Sequence, residues 1–225
     1  MSSRKFRFTN TFIKFLMSLM VRTDLAQLAK VPKAGPLILV SNHINFMEIP
    51  IVFTHLQPRP VTGFVKSETW DNPFLGWLFS LWGGIPLRRG EADLAALKKG
   101  VEMLQKGYIL GISPEGTRTG TGVLRRGLPG VTILAMHSGA PLQPLVYFGH
   151  EDYKNSLKRL KRVDFHVVAG RIFCLKQPEG SLTREIRQDM TDEIMYQLAL
   201  LLPEKYRGEY ADLSKATTKY LSFST

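Results

Sequence analysis

From residue 36 onward, short apolar runs alternate with longer stretches of helical period, an order that predicts an α/β domain. Residues 36–41 (PLILVS) read as a buried strand that delivers Asn42 and His43 to a loop, and the apolar spacing from 47 to about 55 predicts a short helix. Residues 61–65 read as a second strand, 73–81 as a helix with Pro in its first turn, and 85–87 as a short strand. The clearest helix is 91–106, where Leu94, Leu97, Val101 and Leu104 share one face and Gly107 follows as a stop. Residues 108–113 (YILGIS) form another buried strand, feeding a loop of Gly, Thr and Arg over 114–129; loops of that length in compact domains are usually functional or disordered. A helix over 131–137 ended by Gly139, a strand over 142–148, one or two strands within 163–173 and a late helix over 184–202 stopped by Pro203 complete the chain. The expected fold is α/β, with a mixed, largely parallel central sheet flanked by helices.

The N-terminal region has a different pattern. Residues 12–21 are apolar except for Lys14 and Ser18, much shorter than the roughly 20 clean residues of a spanning helix. Asn10, Lys14, Ser18 and Arg22 recur every fourth residue, a polar stripe opposite Phe12, Phe15, Leu16, Leu19 and Met20. An interfacial helix has this pattern, with Arg4, Lys5 and Arg7 attracting anionic headgroups while Phe and Leu enter the acyl boundary. An amphipathic helix packed on the domain would show it too. A signal peptide would not, because Lys14 interrupts the apolar stretch and no small-residue cleavage site follows. The expected division is an amphipathic membrane-association segment over 1–33, a domain over 34–210 and a tail over 211–225.

Thirty Lys and Arg against nineteen Asp and Glu give a net charge of +11, which points to an anionic partner: nucleic acid, an anionic membrane surface or a phosphorylated small molecule. Nucleic acid is disfavoured, since no recognised motif is present and the basic residues cluster at strand ends without interleaved aromatics. The basic run 154–162 (KNSLKRLKR) suits a solvated helix face or a second membrane contact. Cys174 is the only cysteine, so no intramolecular disulfide forms, and its apolar run marks it as core rather than nucleophile.

Two groups of residues carry candidate chemistry. His43 is followed five positions later by Glu48. An acyl transfer to a hydroxyl needs an imidazole to take the proton and a carboxylate on the far ring nitrogen to fix its tautomer. Five residues on one helix would set the two about 140° apart, so they meet only if His43 precedes the helix and Glu48 lies within it. His55, His137, His150 and His166 lack such a partner and read as ordinary surface or core histidines. The second group is 113–118 (SPEGTR), directly after a buried strand. Gly116 permits tight backbone approach, Thr117 and peptide N–H groups donate to phosphate oxygens, and Arg118 grips a phosphate bidentately, unless the loop is only a polar turn with an exposed Arg. Lys66 and the run 83–89 (GGIPLRR) end short strands, where open α/β sheets place ligand groups; Lys66, Arg88 and Arg89 are candidates there, or plain surface charges.

The ordered blocks NHxxxxE, GGIPLRR, PEGTR and GAPLQP (139–144), spread over residues 36–149, resemble the lysophosphatidate acyltransferase family of glycerophospholipid biosynthesis. The resemblance implies that His43 is the catalytic base and Glu48 its partner, where the family usually has Asp. It implies that Arg89, Glu115, Gly116, Thr117 and Arg118 bind the acceptor phosphate, with Lys66 and Arg88 beside them, Arg88 standing where Asp is frequent. Pro141 and Pro144 fall in the block associated with the acyl donor. The implied reaction moves a fatty acyl group from acyl-CoA or acyl-carrier protein, as co-substrate, to the free hydroxyl of lysophosphatidate, giving phosphatidate. Attack is direct, since Cys174 lies elsewhere and no Ser sits in a nucleophile elbow. No metal and no cofactor are implied, and residues 34–210 become the acyltransferase domain. The expected setting is the cytoplasmic face of a membrane, held peripherally or monotopically, with the lipid surface, a lysophospholipid and a thioester as partners and no nucleic acid. The alternatives are the same chemistry on glycerol 3-phosphate or another lysophospholipid, or a non-catalytic basic membrane-binding module.

Overall fold

In the computed structural model, which describes residues 4–88, 90 and 93–223, the chain runs α1 (Arg4–Met20), β1 (Val21–Thr23), β2 (Leu37–Val40), α2 (Glu48–His55), β3 (Val61–Lys66), α3 (Pro73–Leu81), β4 (Ile85–Leu87), α4 (Leu94–Gln105) and β5 (Ile109–Ile112). It continues through α5 (Gly130–Ser138), β6 (Leu142–Phe148), α6 (Tyr153–Lys158), β7 (Val163–Ala169), β8 (Phe173–Leu175), α7 (Arg184–Ala199) and β9 (Leu221–Phe223). The strands lie in the order β1-β7-β6-β2-β5-β3-β4, with β8 beside β6 and β9 beside β8. β2 is parallel to both β5 and β6, and β3 to both β4 and β5. Among the described residues, antiparallel pairing is confined to β6 with β7 and β8, and β8 with β9.

β2 shows why the sheet is central. All four of its residues are buried, and they alternate between two cores. Leu37 and Leu39 pack on one face with Ile51, Phe53 and Trp82, the side of α1 and α2. Ile38 and Val40 pack on the other with Leu104, Leu134 and Ile194, the side of α4, α5 and α7. Asp93 starts α4 by accepting from the Ala96 amide at 3.0 Å, an N-cap; residues 91 and 92, where the sequence pattern starts this helix, lie outside the described residues. Residues beyond 210 return to the sheet as β9, and the buried Glu193 of α7 accepts from the amides of Lys219 and Tyr220, both at 2.8 Å.

α1 meets the domain through a face that its polar pattern does not announce. Phe6, Asn10 and Met17 are buried, and Asn10 Oδ1 accepts from Trp82 Nε1 at 2.8 Å. Ile13 and Met20 pack inward beside Phe6 and Met17, while Phe8, Phe12, Phe15, Leu16 and Leu19 point outward and are all exposed, Phe8 at 74% and Phe15 at 58%. The inward face is thus mostly apolar, with Asn10 as its polar member, where it satisfies the buried Trp82 indole N–H. Of the basic run 154–162, Arg162 donates to the carbonyls of Ser18 and Val21, tying the end of α1 to the start of β7.

Candidate active site

β2, β3, β4, β5 and β6 all point their C-terminal ends the same way, so the loops after them share one edge, the usual ligand side of an open α/β sheet. The ladder between β2 and β6 stops at Val40 and Pro144. The Asn42 side chain then prolongs it: Nδ2 donates to the Tyr147 carbonyl at 2.8 Å and Oδ1 accepts from the Tyr147 amide at 2.9 Å. Asn45 makes a second clamp, Nδ2 donating to the His150 carbonyl at 3.0 Å while Oδ1 accepts from the Met47 amide at 3.0 Å. Between these clamps His43 precedes α2 and Glu48 is its first residue, the arrangement that lets residues five apart meet. Neither asparagine was legible as a site residue, since its partner lies 105 residues away.

Glu48 divides its two oxygens between two tasks. Oε2 faces His43 Nδ1 at 3.1 Å. Oε1 accepts from the amides of Ile44 at 3.0 Å and Asn45 at 2.9 Å, and from His150 Nε2 at 2.7 Å. Burial alone would push this carboxyl up, but hydrogen bonds from His150 and His43 outweigh it and hold the group at about 2. Glu48 is therefore an anion at any working pH. Since Nδ1–H of His43 is spent on Glu48, the lone pair sits on Nε2, which has no partner among the described residues.

The loop of residues 114–129 lies over this pair. Thr119 N donates to the His43 carbonyl at 2.8 Å and Gly120 N to the Ile44 carbonyl at 3.0 Å. Its first turn closes from Gly116 N to the Ser113 carbonyl at 3.1 Å, with Gly116 at φ +68°, in the left-handed region that favours glycine. Thr117 is half-buried, and Glu115 faces inward with its carboxyl buried and neither oxygen in a hydrogen bond among the described residues. Burial pushes it up to about 8; the nearby His43 and Arg125 peptide groups and the Arg125 charge pull against this without offsetting it. Arg118 instead reaches outward, into a groove of about 510 Å³ that runs from Ile44 and Asn45 to Tyr153, Lys154 and Lys158. Glu151 and Asp152 also line it, but each is engaged locally, with the Gly149 amide and the Asn155 side chain.

The other candidates fall farther from His43. Lys66 ends β3, two strands from β2, and pairs with Glu68 at 3.1 Å; at the usual strand spacing that is roughly 10 Å across the sheet. Arg88 follows β4, one strand farther, with its amide 3.1 Å and its Nε 3.7 Å from the Asp93 carboxylate. Arg89 lies outside the described residues. Pro144 is buried within β6 and Pro141 precedes it, at the end of the strand away from His150. Pro144 stands where β6 gives up β8, paired at Leu142, and takes up β7 from Leu145, a junction that tolerates a residue without an N–H. Among the described residues no group of three or more His, Cys, Asp or Glu is arranged to hold a metal ion.

The match to the acyltransferase family model covers residues 22–148. The chain is 31% identical over 132 residues to the chloroplastic 1-acyl-sn-glycerol-3-phosphate acyltransferase BAT2 of Brassica napus, covering 57% of this chain and 38% of that protein. It is 26% identical over 157 residues to the Bacillus subtilis 1-acyl-sn-glycerol-3-phosphate acyltransferase, covering 69% and 77% of the two chains. A lyso-ornithine lipid O-acyltransferase of Pseudomonas aeruginosa is 29% identical over 142 residues, with 56% and 54% covered. The chain thus spans well under two thirds of the Brassica and Pseudomonas relatives. In fold it is similar to the crystal structure of the 1-acyl-sn-glycerophosphate acyltransferase PlsC from Thermotoga maritima, with a TM-score of 0.62 and 20% identity over 86% of this chain and 81% of that one. With the His43 loop, α2, β5 and the turn at Gly116 all inside a family match over more than half its length, the chain belongs to the acyltransferase family.

Proposed function

We propose that the chain transfers a fatty acyl group from a thioester, acyl-CoA or acyl-carrier protein, to the free hydroxyl of lysophosphatidate. The observation that carries this is His43 Nε2, left open by the Nδ1 bond to an ionised Glu48, beside a groove that Arg118 enters. His43 Nε2 takes the glycerol hydroxyl proton as the oxygen attacks the thioester carbonyl. The tetrahedral intermediate collapses, the C–S bond breaks, and the imidazolium returns the proton to the departing thiolate. General base action of this kind supplies about 10² to 10⁴ in rate, and no cofactor takes part. Incubation with labelled acyl-CoA and a panel of acceptors tests it: labelled phosphatidate is expected. The Pseudomonas relative's name puts lyso-ornithine lipid in that panel; preferred acylation of it, with lysophosphatidate untouched, would reassign the acceptor.

The acceptor phosphate sits in the groove, on Arg118 with Lys154 and Lys158, none of them in an ion pair among the described residues. Arg118→Ala is expected to raise KM for lysophosphatidate roughly 10-fold or more, and Lys158→Ala by a smaller factor, with KM for acyl-CoA nearly unchanged. Equal KM effects on both substrates would move the phosphate elsewhere.

The enzyme works at the cytoplasmic face of an anionic membrane, held by the outward face of α1. No described helix is long and apolar enough to cross a bilayer, whereas Phe8, Phe12, Phe15, Leu16 and Leu19 form a stripe that can enter the acyl boundary. Replacing Phe12, Phe15 and Leu19 together by Ser is expected to abolish sedimentation with phosphatidylglycerol-containing vesicles while the thermal melt stays within a few degrees of the parent's. Unchanged vesicle binding would assign the contact to another surface.

A further inference from the structure

His150 lies outside the family-matched stretch, which ends at residue 148, and reads in the sequence as an ordinary surface or core histidine. The fold gives it an unusual position. It is wholly enclosed, at 0% exposure, with its ring 4.2 Å from that of Phe165. Nε2 lies 2.7 Å from Glu48 Oε1, and Nδ1 is buried without a partner among the described residues. A core histidine satisfied for its own sake would place both nitrogens. This ring forgoes one partner and spends the other nitrogen on the carboxylate that orients His43. Since Nε2 faces an anion, it is the nitrogen that carries the proton. The residue is delivered there by β6, whose C-terminal end lies beside that of β2; from the loop after β2, Asn42 clamps Tyr147 and Asn45 holds the His150 carbonyl.

We infer that His150 is a positioning residue for the transfer reaction: it and the two loop amides immobilise Glu48 Oε1, so that Oε2 is held toward His43 Nδ1. The longer Glu in place of Asp fits this role, because the carboxylate must span from the loop amides to two imidazoles at once. Without His150, Oε1 keeps the Ile44 and Asn45 amides but loses its shortest bond. The carboxylate then rotates, and His43 loses its fixed tautomer and heading. The inference rests on the proposed reaction for its kinetic readout and on the free protein for its spectroscopic one.

The test compares His150→Gln with His150→Met in the full chain. The two side chains match in length, so packing changes are shared and the N–H donor is the main difference; His150→Leu serves as a second donor-free variant if the Met protein does not fold. The Met variant is expected to lose roughly 10- to 100-fold in kcat with KM for both substrates nearly unchanged, and the Gln variant to recover most of that loss. In the free proteins, the downfield proton resonance of His43 Nδ1–H is expected in wild type and in the Gln variant and absent, through exchange, in the donor-free ones. Donor-free variants that keep that resonance and wild-type kcat would overturn the inference, as would Gln and Met variants impaired alike in both readouts. If wild type acylates no acceptor in the panel, the proposed reaction fails, and the resonance alone decides the role of His150.

Discussion

His43→Ala is expected to leave a protein that folds and binds vesicles as the parent does but transfers acyl groups roughly 10²- to 10⁴-fold more slowly. The size follows from what the ring does. In the proposed reaction its Nε2, oriented by the Glu48 bond and without a partner among the described residues, takes the proton that the glycerol hydroxyl would otherwise lose to water. The fold survives because the loop is held by backbone and by asparagines: the His43 carbonyl, not its ring, receives the Thr119 amide at 2.8 Å, and Asn42 closes onto Tyr147. Glu48→Gln should match the kinetic loss but not the stability. An amide that keeps its oxygen toward the Ile44 and Asn45 N–H groups presents an NH₂ to His43 and favours the wrong tautomer, and a buried anion shared by two imidazoles is lost. Glu48→Asp restores the charge but is one methylene short of the four donors, so intermediate turnover is expected. Steady-state rates with a circular-dichroism melt separate the cases; wild-type turnover in the His43 variant would remove the general base from the mechanism.

The strands and helices were legible where their pattern is strong. The LILV of PLILVS is buried on both faces, and the helix over 94–105 buries Ala96, Gly100 and Leu104, whereas Leu94, read as part of its inward face, is exposed. β1 and β9 were not: Val21 ends the apolar run read as a helix and 221–223 falls in the stretch read as a tail, and both strands form by pairing, with Val163 to Phe165 and with Phe173 to Leu175. α1 was legible as a helix but not in its orientation, since Phe6, Ile13, Met17 and Met20 meet a core built from distant strands and helices, and Asn10 meets the Trp82 indole 72 residues away. The site divides the same way. His43 and Glu48 are near in sequence, and one turn of geometry brings them together. His150 reaches Glu48 across 102 residues because β6 is laid beside β2, a pairing that no local pattern encodes. The useful signal was topological: a polar residue just past a buried strand, at the edge where the other candidates sit. The basic residues also looked equivalent as letters, yet strand order sets Arg118 beside Asn45 and puts Lys66 and Arg88 two and three strands away.

Glu115 should make the folded protein less stable as the solution becomes alkaline, and the effect is large. In the unfolded chain its carboxyl titrates near 4.5, and in the fold burial raises it to about 8. Between those values the unfolded form has released the proton and the folded form still holds it, so every rise in pH favours unfolding. Above about 8 the whole difference is lost, roughly 3 to 5 kcal/mol. Glu115→Gln removes the titration. Its melting temperature is therefore expected to gain on wild type from pH 5 to pH 9, by about 10 °C over the interval for a chain of this size. Glu48, held at about 2, stays ionised throughout that interval, and the remaining groups titrate alike in both proteins, so the difference curve isolates this carboxyl. Parallel melting curves would mean that Glu115 ionises normally despite its burial. The same proton matters to the proposed chemistry. A second anion beneath the His43 loop would add its charge to that of Glu48 and repel the acceptor phosphate at Arg118, so a buried, protonated Glu115 keeps the cradle basic. Wild-type affinity for lysophosphatidate should consequently weaken above about pH 8, and that loss should be smaller in Glu115→Gln, where no charge develops.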